Sequence, residues 1–139
     1  MKNLFSRLPE RTNKGDMGRL LVLCGSYDPK GASMCGAAYF CAAAAYRTGA
    51  GIVEIFTPRE NYSSLASLVP EAVFSLYGYE EAAEDVGKRL TEAVLRSDAV
   101  VIGCGLGKSP LAKALVRAAL SAVTCPILID ADALNIISE

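Results

Sequence analysis

The sequence predicts an α/β fold, a parallel sheet flanked by helices on both faces. Short apolar runs of strand length alternate with segments of helical character five times along the 139 residues. Such alternation is typical of βαβ units, whose crossovers are right-handed. The apolar runs lack the apolar–polar alternation of half-exposed strands, which indicates burial on both faces, as in a parallel sheet. No internal repeat, linker or low-complexity segment divides the sequence, so one domain is expected.

Five apolar segments are the predicted strands. Most are closed by glycine, proline or acidic residues, which commonly end a strand. The segments before position 17 are expected to be irregular, because Pro9, Asn13 and Gly15 interrupt any period. The strands are predicted at residues 20–24, 51–57, 72–76, 99–102 and 127–129.

The segments between these strands predict five helices. The first, 33–48, is rich in alanine and apolar on nearly every side, so it must be covered on nearly every side. The third, 79–96, is amphipathic, and its charges are expected to form a solvated face of i,i+4 pairs. Those pairs are Glu84–Lys88, Asp85–Arg89 and Glu92–Arg96. The other helices are predicted at residues 62–68, 111–123 and 133–139.

Composition and charge exclude several classes of protein. Hydrophobic residues make up 52% of the chain and the net charge is −1, so a folded core is expected rather than disorder. The sequence shows no basic stripe for nucleic acid, and its longest apolar stretch, 34–46, is too short to span a bilayer. The five cysteines form no C-x-x-C motif, so neither a disulfide framework nor a zinc site is indicated. Without a signal peptide, a cytoplasmic protein is expected.

A glycine loop follows the fourth predicted strand. Gly103, Gly105 and Gly107 alternate after an apolar run, and Ser109 with Pro110 is a typical start of a helix. The spacing G-x-G-x-G differs from the dinucleotide fingerprint G-x-G-x-x-G, and a Walker A loop ending in Gly107-Lys108-Ser109 would need glycine in place of Ile102. The loop either contacts a ligand or is a tight turn that merely needs glycine.

Four loops are expected to meet at one edge of the sheet, where ligands bind in α/β proteins. They span residues 25–33, 57–62, 103–109 and 130–135. Asp130 and Asp132 follow the last strand, which suits a carboxylate that holds magnesium or a hydroxyl group. Alternatively, Asp132 caps the last helix and Asp130 accepts hydrogen bonds from a neighbouring loop. The sequence has no histidine base and no cysteine or serine beside an obvious activating partner, so nucleophilic catalysis is poorly supported.

Seven short motifs resemble, in the same order, those of the ADP/ATP-dependent NAD(P)H-hydrate dehydratases. The resemblance runs from about Leu8 to the last residue, and its motifs are Lys14-Gly15-x-x-Gly18, Gly25-Ser26, Gly31-Ala32, Arg47-Thr48-Gly49-Ala50-Gly51, Pro70-Glu71, Gly103 to Gly107, and Asp130-Ala131-Asp132-Ala133-Leu134-Asn135. Two positions depart from the family pattern. Asn13 stands where the family commonly has histidine, and Cys104 stands where it commonly has proline.

This resemblance implies a ribokinase-like fold and repair of the hydrated nicotinamide ring. A nucleotide, ADP or ATP with Mg²⁺, phosphorylates the ring hydroxyl, and loss of phosphate restores NADH or NADPH. By resemblance, Ala32 and Gly105 match positions that contact the hydrate through two loops, and an absent Cβ at Gly105 would leave room for a dinucleotide. The other substrate-binding residues implied are Gly103, Asp130, Asp132 and Asn135. A homo-oligomer is also expected.

The family's later motifs have no counterpart in the 139 residues. These are a Thr-Pro-His segment, a Lys-Gly nucleotide loop and a Gly-Thr-Gly-Asp motif with the catalytic aspartate. We therefore expect residues 1–139 to be a single, incomplete and truncated ribokinase-like domain that holds no catalytic or metal-binding residue and is inactive alone. Two alternatives stay open: a ribokinase-like kinase for a sugar or vitamin precursor, and a complete, non-catalytic nucleotide-binding module.

Overall fold

A five-stranded sheet forms the centre of the computed structural model, which describes residues 12–139. The start of the family resemblance, at Leu8, lies outside the described residues. Every neighbouring pair of strands is parallel, and the strand order is β3-β2-β1-β4-β5. The strands are β1 (Arg19–Leu23), β2 (Ile52–Pro58), β3 (Val73–Tyr77), β4 (Ala99–Ile102) and β5 (Ile127–Ile129).

Five α-helices cover the two faces of this sheet, as predicted. The first two pack on one face, and the other three pack on the opposite face around a larger core. Two short 3₁₀ turns, Lys14–Met17 and Arg59–Asn61, precede β1 and the second helix. The helices are α1 (Cys35–Arg47), α2 (Tyr62–Leu68), α3 (Ala83–Leu95), α4 (Pro110–Ala122) and α5 (Ala131–Ile137).

Several helix boundaries differ from those predicted, and two of the shifted starts bear on the candidate site. The helix expected from residue 79 begins at Ala83, because the backbone turns first: the Glu81 N–H donates to the Gly78 carbonyl, and the Glu81 carboxylate accepts from the Gly78 N–H. The last helix begins at Ala131 rather than at residue 133. Its N-cap residue is Asp130, so the expectation that Asp132 caps this helix is wrong.

Helix α1 lies close to the sheet because its inner side chains are small. Ala38, Ala42 and Ala45 are buried against the apolar residues of β1 and β2. The expectation that α1 is covered on nearly every side is wrong for one face. There Phe40 is 71% exposed, beside Leu128 of β5, which is 54% exposed.

A buried carboxylate joins three elements on the α3 face. Glu54 of β2 is fully buried, and it accepts hydrogen bonds from Ser75 Oγ at 2.6 Å, from Arg19 Nη1 at 3.1 Å and from two guanidinium nitrogens of Arg96. Burial favours the neutral acid, but the hydrogen bonds of Arg96 and Ser75 and the charges of Arg96 and Arg19 outweigh it. The pKa of Glu54 is therefore lower than usual.

The charge pairs predicted along α3 are only partly correct. Lys88 pairs with Glu84 at 2.9 Å, as expected. Arg96 pairs with the buried Glu54 instead of Glu92, and Arg89 pairs with Glu81 and the Leu76 carbonyl instead of Asp85. Helical spacing shows which side chains share a face, but a long arginine can reach a neighbouring strand or loop.

Within residues 12–139, no helix has both the length and the apolar character needed to cross a membrane.

Removing the Arg96 guanidinium should destabilise the fold. In Arg96→Met, Glu54 stays buried with Arg19 and Ser75 as its remaining partners, and the free energy of unfolding should fall by about 2–3 kcal/mol. Urea unfolding followed by circular dichroism measures the loss. Arg117→Met, an exposed arginine of α4, is the matched control and should change stability by about 0.5 kcal/mol at most. Equal losses in the two variants would contradict the role given to Arg96.

The stabilisation by Glu54 should depend on pH. Because the folded pKa is below the usual value of 4.5, both states are ionised well above that pH and the full stabilisation is present. As the pH falls below 4.5, the unfolded chain binds the proton first, and the stabilisation is lost progressively towards the folded pKa. The stability difference between the wild type and Glu54→Gln should therefore be constant near neutral pH and shrink in acid. A difference that does not vary with pH would contradict this account.

Candidate functional site

The carboxyl ends of β1 and β4 lie side by side at the centre of the sheet. The chain leaves β1 towards β2 on one side and leaves β4 towards β5 on the other, so a crevice opens between the two connections. Backbone hydrogen bonds extend the pairing beyond the strands: the Gly103 N–H donates to the Leu23 carbonyl at 3.1 Å, and the Gly25 N–H donates to the Cys104 carbonyl at 2.9 Å. The glycine loop is therefore attached directly to the end of β1.

The loops predicted to converge do meet at this edge. Buried Asn61 links two of them, because its amide nitrogen donates to Thr57 Oγ1 at 3.0 Å and its oxygen accepts from Ser33 Oγ at 2.9 Å. The other two are linked by Asp132, whose carboxylate accepts the Gly107 N–H at 2.8 Å. The strand ends and their connections thus form one continuous rim.

The glycine loop has the backbone that its sequence predicts. Gly103, Gly105 and Gly107 have positive φ angles of 113°, 63° and 74°. Helix α4 then begins as expected, with Pro110 as its first residue and the Ser109 hydroxyl accepting the Ala112 N–H at 3.1 Å. The loop therefore ends at a capped helix N-terminus.

Close packing explains two of these glycines. A Cβ on Gly103 would lie 2.0 Å from the Asp130 carbonyl oxygen and 2.6 Å from the Ala133 Cβ. A Cβ on Gly105 would lie 2.8 Å from the Ala37 Cβ and 2.9 Å from the Met34 Cβ. The space beside Gly105 is thus occupied by the start of α1. Both glycines are needed for packing, and their contact with a hydrate stays a prediction.

Neither acidic residue has the structural role considered for it. Asp132 is half-buried and bonds the glycine loop, the role considered for Asp130. Asp130 occupies the N-cap position of α5 without a capping hydrogen bond from its side chain, and its carboxylate lies 3.7 Å from Cys104 Sγ. Asn135 is exposed on α5. The two acids therefore have different surroundings, although only Ala131 separates them in the sequence.

A cavity of about 410 Å³ lies between the β1–α1 loop and the glycine loop. Of the predicted site residues, Ala32 lines it, whereas Gly103, Gly105, Asp130, Asp132 and Asn135 do not. The lining residues are Ser26, Tyr27, Asp28, Pro29, Ala32, Tyr79, Leu106, Gly107, Lys108 and Ser109. This cavity lies at the position where the strand order reverses.

Two functional candidates in this cavity were missed from the sequence. Tyr79 was placed in a helix, but it belongs to the loop before α3, and its hydroxyl oxygen accepts the Tyr27 N–H at 3.0 Å. Partial burial raises the pKa of Tyr79, and the charges of Glu60 and Asp28 raise it further, against the lowering effect of the Tyr27 hydrogen bond. Lys108 contributes a positive charge. In the sequence, the position of Lys108 directly after Gly107 of the glycine loop was the feature that could have indicated this role.

A second cavity, of about 430 Å³, lies on the α1 face and includes Asp130. Cys41 and Cys104 line it together with apolar side chains such as Phe40 and Leu128. Among the predicted substrate-binding residues, Ala32 lines the first cavity, Asp130 lines the second, and the other four line neither.

Three thiols meet beside this second cavity, although the sequence spacing indicated no such group. The Sγ atoms of Cys24, Cys41 and Cys104 all lie within 4.8 Å of one another, and Cys24 and Cys41 are 3.9 Å apart. Hydrogen bonds from Cys24 and Cys104 lower the pKa of Cys41 to about 6, although burial opposes this. Burial and the neighbouring Cys41 raise the pKa of Cys104 to about 11.

The first cavity lies at the point where the strand order reverses, between a glycine loop and a helix N-terminus. This is the arrangement at which α/β proteins bind small molecules. A family model described as NAD(P)H-hydrate dehydratase matches residues 20–139. The chain belongs to this family.

Individual relatives agree with this assignment. A bifunctional NAD(P)H-hydrate repair enzyme of Coxiella burnetii is 38% identical over 99% of this chain and 26% of its own length. The ADP/ATP-dependent NAD(P)H-hydrate dehydratase of Bacillus subtilis, crystallised with ATP/Mg²⁺, is 29% identical with a TM-score of 0.71, over 94% of this chain and 43% of its own.

The fold is ribokinase-like. A ribokinase-like superfamily protein of Enterococcus faecalis has a TM-score of 0.81 at 24% identity, over 96% of this chain and 43% of its own. The chain thus spans between a quarter and less than half of the length of these relatives.

Filling the space beside Gly103 should destabilise the site and the fold together. Gly103→Ala combines a steric clash with the Asp130 carbonyl and a φ of 113° that L-residues rarely adopt, so we expect a loss of about 3 kcal/mol or more in the free energy of unfolding. Gly36→Ala in α1 is the matched control. Its Cβ would meet nothing within 4 Å, and alanine is the better helix former, so stability should stay equal or rise by about 0.5–1 kcal/mol. Denaturant unfolding distinguishes the two, and a stable Gly103→Ala would contradict the packing described.

Proposed function

We propose that the protein takes part in the repair of hydrated NADH and NADPH, with this chain supplying part of the cleft that binds the hydrate. The observation that carries this proposal is the cavity between the β1–α1 loop and the glycine loop, at the point where the strand order reverses. It occupies the position at which α/β proteins bind their ligands, in a chain whose family model is described as NAD(P)H-hydrate dehydratase.

The proposed reaction uses ADP or ATP as the phosphate donor. The hydroxyl group of the hydrated ring loses its proton, and its oxygen forms a bond to the terminal phosphorus. The bond from that phosphorus to the bridging oxygen breaks, which releases AMP from ADP or ADP from ATP. The ring then loses phosphate from one carbon and a proton from its neighbour, which restores the carbon–carbon double bond of NADH or NADPH. Names and crystallisation conditions of relatives support ADP or ATP with Mg²⁺ as the co-substrate.

The cavity residues suit the binding of a dinucleotide. Lys108 is exposed at the loop before α4, where a cation can attract a pyrophosphate group. Tyr79 accepts one hydrogen bond from Tyr27, and its own hydroxyl proton can be donated to a ligand. Ala32 has a small side chain, which allows a ring to approach the β1–α1 loop. We propose that these three residues contact the hydrate.

The acidic residues do not fit a magnesium site. Mg²⁺ prefers carboxylate oxygens, but Asp132 bonds the Gly107 N–H and Asp130 lies beside a thiol in a different cavity. Among residues 12–139, the one group of three potential metal ligands consists of thiols. We therefore assign no step to Mg²⁺ on these residues, and hydrate contacts by Asp130, Asp132 and Asn135 stay predictions.

Several further expectations are part of this proposal. Residues 1–139 are proposed to be one incomplete ribokinase-like domain without a catalytic residue, inactive alone and homo-oligomeric in its complete form. These 139 residues include no histidine, so none of them can act as a histidine general base. A cytoplasmic location is proposed because the described cysteines are free thiols, which are typical of a reducing compartment.

Binding of the hydrate tests the role given to the cavity. Titration calorimetry with NADH hydrate should detect binding to the 139-residue chain, and Lys108→Gln should weaken it about tenfold by removing one charge-assisted contact. Ala32→Leu should abolish binding by filling the cavity. Lys88→Gln, on the exposed face of α3, is the control and should bind as the wild type does. Unchanged affinity in both cavity variants would place the hydrate elsewhere.

Product analysis distinguishes the repair reaction from the alternatives. The full product of the gene, incubated with NADH hydrate and ADP or ATP, should release phosphate and regain NADH absorbance in equal amounts. A stable phosphorylated sugar or vitamin precursor, without recovery of NADH, would favour a kinase. Binding without any turnover would favour a non-catalytic module.

A further inference from the structure

Three elements bring the thiols of Cys24, Cys41 and Cys104 together. Cys24 follows β1, Cys41 lies in α1, and Cys104 belongs to the glycine loop. Zinc bound tetrahedrally by thiolates at about 2.3 Å requires sulfur atoms about 3.8 Å apart. The Cys24–Cys41 distance of 3.9 Å meets this requirement, and the whole group lies within 4.8 Å. Small rotations of side chains would bring all three sulfur atoms to ligand distance.

The surroundings of this group favour a cation. Cys24 is fully buried, and Cys41 and Cys104 are half-buried along the second cavity, which provides access from solvent. Among the described residues that line this cavity, none is basic. The cysteines could bind a ligand as three thiolates only together with a metal ion that offsets their charge.

Asp130 is an oxygen ligand near the group. Its carboxylate lies 3.7 Å from Cys104 Sγ, and a zinc ion with one sulfur and one carboxylate ligand separates these two atoms by about 3.5 Å. Although Asp130 is the N-cap residue of α5, its side chain makes no capping hydrogen bond. The carboxylate can therefore turn towards a metal ion. A set of three sulfur atoms and one oxygen suits a thiophilic ion and not Mg²⁺ or Ca²⁺.

We propose that Cys24, Cys41 and Cys104 bind one thiophilic divalent cation of the zinc class, with Asp130 at the fourth position. The ion joins the end of β1, α1 and the glycine loop at one point, beside a different cavity from the one proposed for the hydrate. None of the four proposed ligands lines the hydrate cavity, but Asp130 also stays a predicted hydrate contact, so metal binding and hydrate binding are measured separately. Binding stabilises the folded chain by mass action.

Cobalt substitution tests the ligand set directly. The 139-residue chain, reduced and freed of metal with a chelator, is titrated with Co²⁺, and thiolate-to-cobalt charge-transfer absorption should saturate at one ion per chain. Zn²⁺ should displace the cobalt and raise the melting temperature by several degrees. Cys41→Ser and Cys104→Ser should each lose most of this absorption. Asp130→Asn should keep it and bind at least tenfold more weakly.

Cys125→Ser and Cys35→Ser are the matched controls, since both residues are half-buried cysteines outside the group. Both should bind as the wild type does, and far-ultraviolet circular dichroism should show every variant folded. If Cys41→Ser does not fold, Cys104→Ser decides the result, because its side chain lies on a loop.

Three results would overturn the proposal. The first is no charge-transfer absorption in the wild type. The second is absorption that persists in Cys104→Ser or disappears equally in Cys125→Ser. The third concerns protein purified without reductant. If it has three free thiols instead of five and binds no metal after reduction, the close pair Cys24 and Cys41 forms a disulfide instead of a metal site.

Discussion

The pairing of β1 with β4 positions everything else at the candidate site. Two backbone hydrogen bonds continue this pairing past the strands and attach the glycine loop to the residues that follow β1. The chain leaves these two strands in opposite directions, so the connections separate and a cavity forms between them. The loop then meets the β5–α5 connection, where Gly103 contacts the Asp130 carbonyl at a distance that admits no Cβ. One pair of strands thus determines the positions of both cavities.

The two faces of the sheet are stabilised in different ways. On the α1 face, small side chains such as Ala38 and Ala42 bring the helix close to the strands, and the thiols of Cys24 and Cys41 fill the remaining space. On the α3 face, larger aliphatic side chains form the core, and the buried carboxylate of Glu54 holds two arginines. Close approach of α1 is what brings Cys41 to the end of β1 and the glycine loop. The thiol group is therefore a consequence of small-residue packing.

Local sequence patterns predicted the architecture because burial on both faces of a strand is visible in the strand's own residues. The five apolar runs correspond to the five strands, and the Ser109-Pro110 pair begins α4 as expected. Boundaries were less predictable. The sequence pattern predicts a helix from residue 79, but residues 79–82 belong to a turn that the Glu81 carboxylate stabilises. Tyr79 was therefore wrongly placed in a helix. Its ring instead lines the cavity, where its hydroxyl bonds the Tyr27 backbone.

The sequence by itself determined the parallel α/β fold, the edge at which four loops meet, and the family resemblance, because these depend on hydrophobic pattern and on short motifs. Only the tertiary structure decided the partners of individual side chains. Asp132 bonds Gly107 across 25 positions, Arg96 reaches Glu54 across 42, and three cysteines from separate elements meet within 4.8 Å. Such contacts depend on strand order and on how closely a helix approaches the sheet, and neither is encoded in the spacing of the residues that meet.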